Sequence, residues 1–230
     1  MNTLATFVRI PKNASTSVYE SLGTANTIRD EKLFKFSQRE KARYKGCFCP
    51  SHCLLTEAIR ELGEEILNVP SLAVVRNPYD RLVSMYSFAR KNEWMFAAYL
   101  IGDYSFGSFC RAMLEAKDDA DFLHAFTQKS YLMLDDKIGV DRVLRFENIN
   151  EEFKTFLTDF NIPLTKVSHP SVIRATRLAQ GTHIPDAVNP VLPHENQTPH
   201  APYKDFYCEE TKSMVHKMWE EDLDEFKYTF

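Results

Sequence analysis

Two short apolar runs each end in a charged loop that opens a helix, and this pairing restricts the chain more than any other feature. Residues 8–18 read Val-Arg-Ile-Pro-Lys-Asn-Ala-Ser-Thr-Ser-Val, and residues 72–84 read Leu-Ala-Val-Val-Arg-Asn-Pro-Tyr-Asp-Arg-Leu-Val-Ser. The β-branched and apolar residues of Thr6–Ile10 and Ser71–Val75 predict buried strands. A helix that starts directly after a strand leaves its first N–H groups unbonded and aimed outward, an arrangement that binds anions. In the first loop Lys12 adds a point charge, Asn13 and Ala14 continue the turn, and Ser15, Thr16 and Ser17 add hydroxyl donors. In the second, Arg76 offers a forked guanidinium and Ser84 a hydroxyl. Ligands of parallel sheets sit beyond the carboxyl ends of the strands. Two such loops on neighbouring strands therefore suit a nucleotide with phosphate groups at two separate places. Neither loop carries the Gly-x-x-x-x-Gly-Lys-Ser/Thr of an ATP-binding loop.

The rest of the chain alternates in the same way. Leu55, Ile59, Leu62 and Ile66 step by four, three and four, which predicts one amphipathic helix. Pro78 opens a helix that runs towards Lys91, and its missing N–H costs least at that position. Phe106, Phe109 and Met113 mark another helix, and Phe122 to Leu134 a further helical stripe. Arg142–Phe146 reads as a third strand, followed by a helix through Phe153, Phe156, Leu157 and Phe160. Val215, Met218, Trp219, Leu223 and Phe226 build a C-terminal helix. Strands alternating with helices predict an α/β sandwich around a central parallel sheet flanked by helices. Residues 163–203 lose periodicity and hold seven prolines and four histidines. A long irregular stretch of this kind, about 163–205, belongs to function or to motion. With no internal repeat and no linker, residues 1–230 read as a single domain.

Composition narrows the function classes. A net charge of −4 gives no basic field for nucleic acid, so local charges must bind any anion. No apolar run approaches the ~20 residues of a membrane span. Met1–Arg9 lacks the basic-then-apolar pattern of a secretory signal, which predicts a cytoplasmic protein. The five cysteines fall at irregular spacing, unlike a disulfide framework. Cys47, Cys49, His52 and Cys53 crowd together without the second ligand pair of a zinc site, so no metal is expected. The glycosylation patterns at Asn13 and Asn196 read as chance.

On these residues the chain resembles the sulfotransferases that use 3′-phosphoadenosine 5′-phosphosulfate (PAPS). It is most similar to the carbohydrate sulfotransferase group, sulfotransferase family 2, and its bacterial relatives. Pro-Lys-Asn-Ala-Ser-Thr-Ser at 11–17 resembles their 5′-phosphosulfate loop, and Val-Arg-Asn-Pro-Tyr-Asp-Arg-Leu-Val-Ser at 75–84 their 3′-phosphate motif. His52 before a helix, Arg145-Phe-Glu147-Asn148, Leu192-Pro-His194, Asn196, Tyr203, Phe206-Tyr207 and Asp222-Leu-Asp-Glu-Phe-Lys-Tyr-Thr-Phe230 continue the match in the expected order. The resemblance implies a P-loop-like three-layer fold and PAPS as sulfuryl donor, without a metal. It implies a hydroxyl-bearing acceptor, a carbohydrate or small molecule. Lys12 would stabilise the leaving oxygen. Residues 12–17, Arg76 and Ser84 would hold the donor.

His52 is the candidate base, since an imidazole suits proton transfer near neutral pH, with Glu20 and Glu57 as alternatives. His124, Gln128 and Tyr131 lie where relatives face the acceptor, and His194, Asn196 and His200 where they close over the site. Relatives carry a basic residue near Pro199, for which Lys204 would stand in. Arg174 and Arg177 are further candidates for the nucleotide. Arg81 is expected on the helix surface, Tyr79 in the core or lining the nucleotide site, and Glu147 in a structural role holding Arg145 or a helix end. Two other classes remain open: a P-loop-type nucleotide kinase and a non-catalytic nucleotide-binding module.

Overall fold

The strand Ser71–Val75 is buried at all five positions, so it must be covered on both faces. The computed structural model, which describes residues 5–22, 52–91, 103–118, 123–162 and 201–230, meets that demand. In chain order the described elements begin with β1 (Thr6–Val8), α1 (Ser15–Leu22), α2 (Leu55–Leu62), β2 (Ser71–Val75) and α3 (Pro78–Lys91). They continue with α4 (Phe106–Glu115), α5 (Gln128–Leu132), β3 (Met133–Leu134), β4 (Lys137–Ile138), β5 (Arg142–Arg145), α6 (Ile149–Asp159) and α7 (Glu209–Phe226). The central sheet is parallel in the order β1-β2-β5, with Thr6 opposite Ser71 and Leu72 opposite Arg142.

Alternation along β2 assigns the two faces. Ala73 and Val75 pack with Val8, Ile10, Leu55, Ala58 and Leu62, the last three from α2. Leu72 and Val74 pack with Val18 and Leu22 of α1 and with Phe153, Phe156 and Leu157 of α6. Helices therefore cover the sheet on both sides, the three-layer α/β arrangement expected from the alternating pattern. A third apolar cluster joins α3, α4 and α7 through Leu82, Phe109, Val215 and Trp219.

Two helical expectations need correction. The stripe through Ile66 is not one helix, because Gly63 adopts φ 94 and ends α2. Ile66 keeps its place in the core from a separate 3-10 turn, Glu64–Leu67. The stripe from Phe122 to Leu134 also breaks. A 3-10 turn at Leu123–Ala125 leads into α5, which Thr127 caps by accepting from the Ser130 N–H at 3.0 Å. The chain then enters the β3–β4 hairpin, whose turn residues Asp135 and Asp136 have φ 47 and 61. Aspartate tolerates that left-handed region better than most residues.

Arg81 is not on the surface of α3. It is fully buried, donating to the carbonyls of Pro11 at 3.3 Å and Phe126 at 3.0 Å, with its guanidinium 4.7 Å over the Trp219 ring. Asp222 of α7 is equally buried and accepts from the N–H groups of Gln128 at 2.8 Å and Lys129 at 2.9 Å. Burial pulls the Arg81 pKa down and the Asp222 pKa up, and each charge opposes the shift of the other. Removing one member of such a pair strands the other in the interior. Arg81→Leu is therefore expected to destabilise the protein by about 3–5 kcal/mol. Urea unfolding measures this, and a loss under about 1 kcal/mol would mean that the Asp222 charge does not depend on Arg81.

Candidate active site

The loop between β1 and α1 is twisted at two residues that are not glycine, Lys12 at φ 68 and Ala14 at φ 54. The Ala14 carbonyl accepts the first helical bond, from Val18 N–H at 3.1 Å, so Ala14 stands at the N-cap. Its methyl group cannot cap. The helix dipole favours an anion at this end of α1. Ser15 is buried and Ser17 half-buried, while the side chains of Thr16 and Glu20 lie outside the described residues.

Lys12 lies with its Nζ 4.0 Å from the centre of the Phe88 ring. Burial, then Arg76, then Lys91 bring its pKa down to about 8. The charges of Arg76 and Lys91 thus act on Lys12, a repulsion that a bound anion relieves. Lys91 and Phe88 were missed in the sequence, although Ser84, Phe88 and Lys91 step by four and three along α3.

Arg76, at the end of β2, is held from several sides. Its Nε donates to Asp80 Oδ2 at 2.7 Å, its Nη1 to the Lys12 carbonyl at 3.2 Å, and its guanidinium lies 4.1 Å over the Phe146 ring. Ser84 is buried one turn beyond Asp80, on the same side of α3. The sheet register puts both loops at one edge, since β1 and β2 are parallel neighbours.

His52 approaches the same edge. Its Nδ1 lies 2.7 Å from the Arg9 carbonyl, an atom that can only accept, so Nδ1 carries the proton. The neutral ring then presents Nε2 as its basic nitrogen. His124 lies close by: burial, then His52, Arg81 and Lys12 lower its pKa to about 3. Its ring is neutral near pH 7 and adds no charge beside Lys12. The alternative base Glu57 accepts from the Leu54 N–H at 3.1 Å, capping α2.

Gln128 does not face outward as an acceptor contact must. It is fully buried, and its side-chain amide is spent on Asn13 and on the backbone of Arg76. Tyr131 is buried in the core as well. Tyr79 joins an aromatic cluster, 5.4 Å from the Tyr207 ring and 5.0 Å from Phe230. Lys204 lies 5.3 Å over that same Phe230 ring. Glu147 is structural and holds a helix end, the start of α3. It accepts from Asn77 N–H and from Tyr228 Oη, both at 2.8 Å, and so fixes the turn into α3. Cys47, Cys49, Arg174, Arg177, His194, Asn196 and His200 lie outside the described residues.

The sulfotransferase family model matches residues 5–229, and the chain belongs to that family. Membership gives it sulfuryl transfer as its activity and a hydroxyl-bearing acceptor as its second substrate. Among solved structures it is similar to mouse sulfotransferase SULT7A1 complexed with PAP, at 13% sequence identity and a TM-score of 0.41, over 96% of this chain and 84% of that one. A comparison with curated proteins finds no match. No helix among the described residues is long and apolar enough to cross a membrane.

The lowered pKa of Lys12 gives a pH test. The amine is charged below about 8 and neutral above it. Affinity for adenosine 5′-monophosphate, whose phosphate is already doubly ionised there, is expected to fall roughly fivefold from pH 8 to pH 9. Lys12→Arg stays charged across that range and should remove the fall. Calorimetry at the two pH values decides, and a flat profile in the unmodified protein would remove Lys12 from the anion site.

Proposed function

We propose that this chain moves the sulfuryl group of PAPS to a hydroxyl of a carbohydrate or small-molecule acceptor. The observation that carries this reading is the placement of Lys12 and Arg76 at one sheet edge, where Arg76 Nη1 donates to the Lys12 carbonyl and α1 begins. A donor with a 5′-phosphosulfate and a 3′-phosphate fits that charge distribution, with one anion on the Lys12 loop and the other on Arg76 and Ser84. When bound, PAPS supplies an activated sulfuryl group and a phosphate leaving group.

The protein supplies position, charge and a proton acceptor. His52 takes the hydroxyl proton on Nε2, while its Nδ1–H stays on the Arg9 carbonyl. Lys12 is protonated at neutral pH and neutralises the charge that grows on the leaving oxygen. The first-turn amides of α1 donate to the same region. Arg76, immobilised by Asp80, Phe146 and the Lys12 carbonyl, loses little entropy on meeting the 3′-phosphate. His194 and Asn196 belong to this reading as acceptor contacts, and His124 as a neutral one.

Labelled-sulfate transfer from PAPS to pooled glycans and small metabolites tests the activity. Lys12→Ala is expected to lose about 10²-fold or more in turnover, the scale of one preorganised donor. His52→Ala should lower kcat by about 10²–10⁴-fold and leave binding of adenosine 3′,5′-bisphosphate nearly intact. A folded His52→Ala with unchanged kcat would make the histidine structural.

A further inference from the structure

The two anion loops are not held together by the sheet alone. Beyond Val8 the β1–β2 pairing stops, and both Lys12 and Arg76 lie past the last paired residues. Arg76 Nη1 reaches across to the Lys12 carbonyl, and a second side chain, buried Gln128, binds both loops at once. Gln128 Oε1 accepts from Asn13 Nδ2 at 2.5 Å and from the Arg76 N–H at 2.8 Å, and Gln128 Nε2 donates to the Arg76 carbonyl at 2.9 Å. The amide thus pairs with Arg76 as a neighbouring strand would, using both backbone groups of that residue. The same Asn13 amide also donates to the Val74 carbonyl at 2.8 Å.

Gln128 is itself anchored. Its own N–H donates to Asp222 Oδ2, and buried Arg81, whose charge acts on Asp222, donates to the Pro11 carbonyl. Asn13, Arg76, Arg81, Gln128 and Asp222 are all at most 4% exposed. Bonds in such a place are hard to replace with water and define a geometry sharply. The loop is thus held at two points, at Asn13 by Gln128 and at Pro11 by Arg81. Lys12 sits between two tied residues, Pro11 and Asn13.

From this geometry we infer that Gln128 is a positioning residue that fixes the separation between the Lys12 loop and Arg76. The chain thereby selects nucleotides carrying two phosphates at a set distance over nucleotides carrying either one alone. This rests on the donor reading proposed above. Two phosphates on one nucleotide bind as linked ligands, so the second contact is strong only when the two sites are correctly spaced. Loosening the spacer leaves each site able to hold its own phosphate but removes the advantage of having both.

The experiment is calorimetry with adenosine 3′,5′-bisphosphate, adenosine 5′-monophosphate and adenosine 3′-monophosphate, on the full chain. The unmodified protein should prefer the bisphosphate clearly over both monophosphates. Gln128→Met keeps the side-chain length and loses the bonds. It is expected to lower bisphosphate affinity by about tenfold or more while each monophosphate stays within about twofold. Gln128→Asn keeps the amide one methylene short of the bridge and should shift the preference in the same direction. It decides the question if Gln128→Met does not fold. A merely structural role would lower all three affinities with the folded fraction and leave their ratio unchanged, and that result would overturn the inference. Equal affinity for all three nucleotides in the unmodified protein would instead overturn the donor reading, and the inference with it.

Discussion

The site depends on two buried charges that act on one another and are each held by the backbone. Arg81 and Asp222 are both fully buried, and taking two ions out of water costs more than their attraction commonly returns. An apolar pair of the same volume would pack α3 against α7 at least as well. It would not hold the carbonyl of Pro11 or cap the first N–H groups of α5. Those contacts fix the loop that carries Lys12 and the helix that carries Gln128. The twist at Lys12 and Ala14 adds to the demand, since a left-handed residue other than glycine costs about 1–2 kcal/mol and persists only where its surroundings impose it. Stability is thus spent in the interior to hold an exposed edge in one shape.

The charge of the site is local rather than global. The chain as a whole carries −4, yet burial, and after it the charges of Arg76 and Lys91, lower the Lys12 pKa. Two aromatic rings make this tolerable. Phe88 lies under Lys12 and Phe146 under Arg76, offering negative ring faces to cations without adding a carboxylate that would repel an incoming anion. Asp80 is the exception, and it accepts from Nε of Arg76 while Nη1 donates to the Lys12 carbonyl. The neutral His124 fits the same scheme, because its burial keeps an imidazolium from crowding Lys12.

What the sequence made legible was local. The strand, loop and helix around Lys12 and around Arg76 are each written in about ten consecutive residues, and both appear where the apolar runs place them. The helix break at Gly63 was less visible, because Leu55, Ile59, Leu62 and Ile66 face one core whether or not the helix is continuous. Strands of two residues, such as β3 and β4, are too short to show a period of two. Gln128 was misread for a different reason. Its partners Asn13, Arg76 and Asp222 are 115, 52 and 94 residues away, and no spacing pattern connects residues that only the tertiary fold brings together. Arg81 was misread likewise, since its partner carbonyls at Pro11 and Phe126 carry no side-chain signature.

The position of His52 follows from the same economy of anchors. Its Nδ1–H is bound to the carbonyl of Arg9, three residues before Lys12 in the segment that follows β1. The proposed base and the proposed leaving-group cation are therefore tied to one short piece of backbone. A shift of that segment would carry both together, and their mutual spacing would survive. The carbonyl also sets the tautomer: with Nδ1 committed as donor, the proton taken from an acceptor hydroxyl can enter only at Nε2. A histidine bound through Nε2 instead would present the wrong nitrogen. The backbone at Arg9 thus does for His52 what a carboxylate does in a catalytic triad, orienting the ring, but without a negative charge that would draw Lys12 away from an anion.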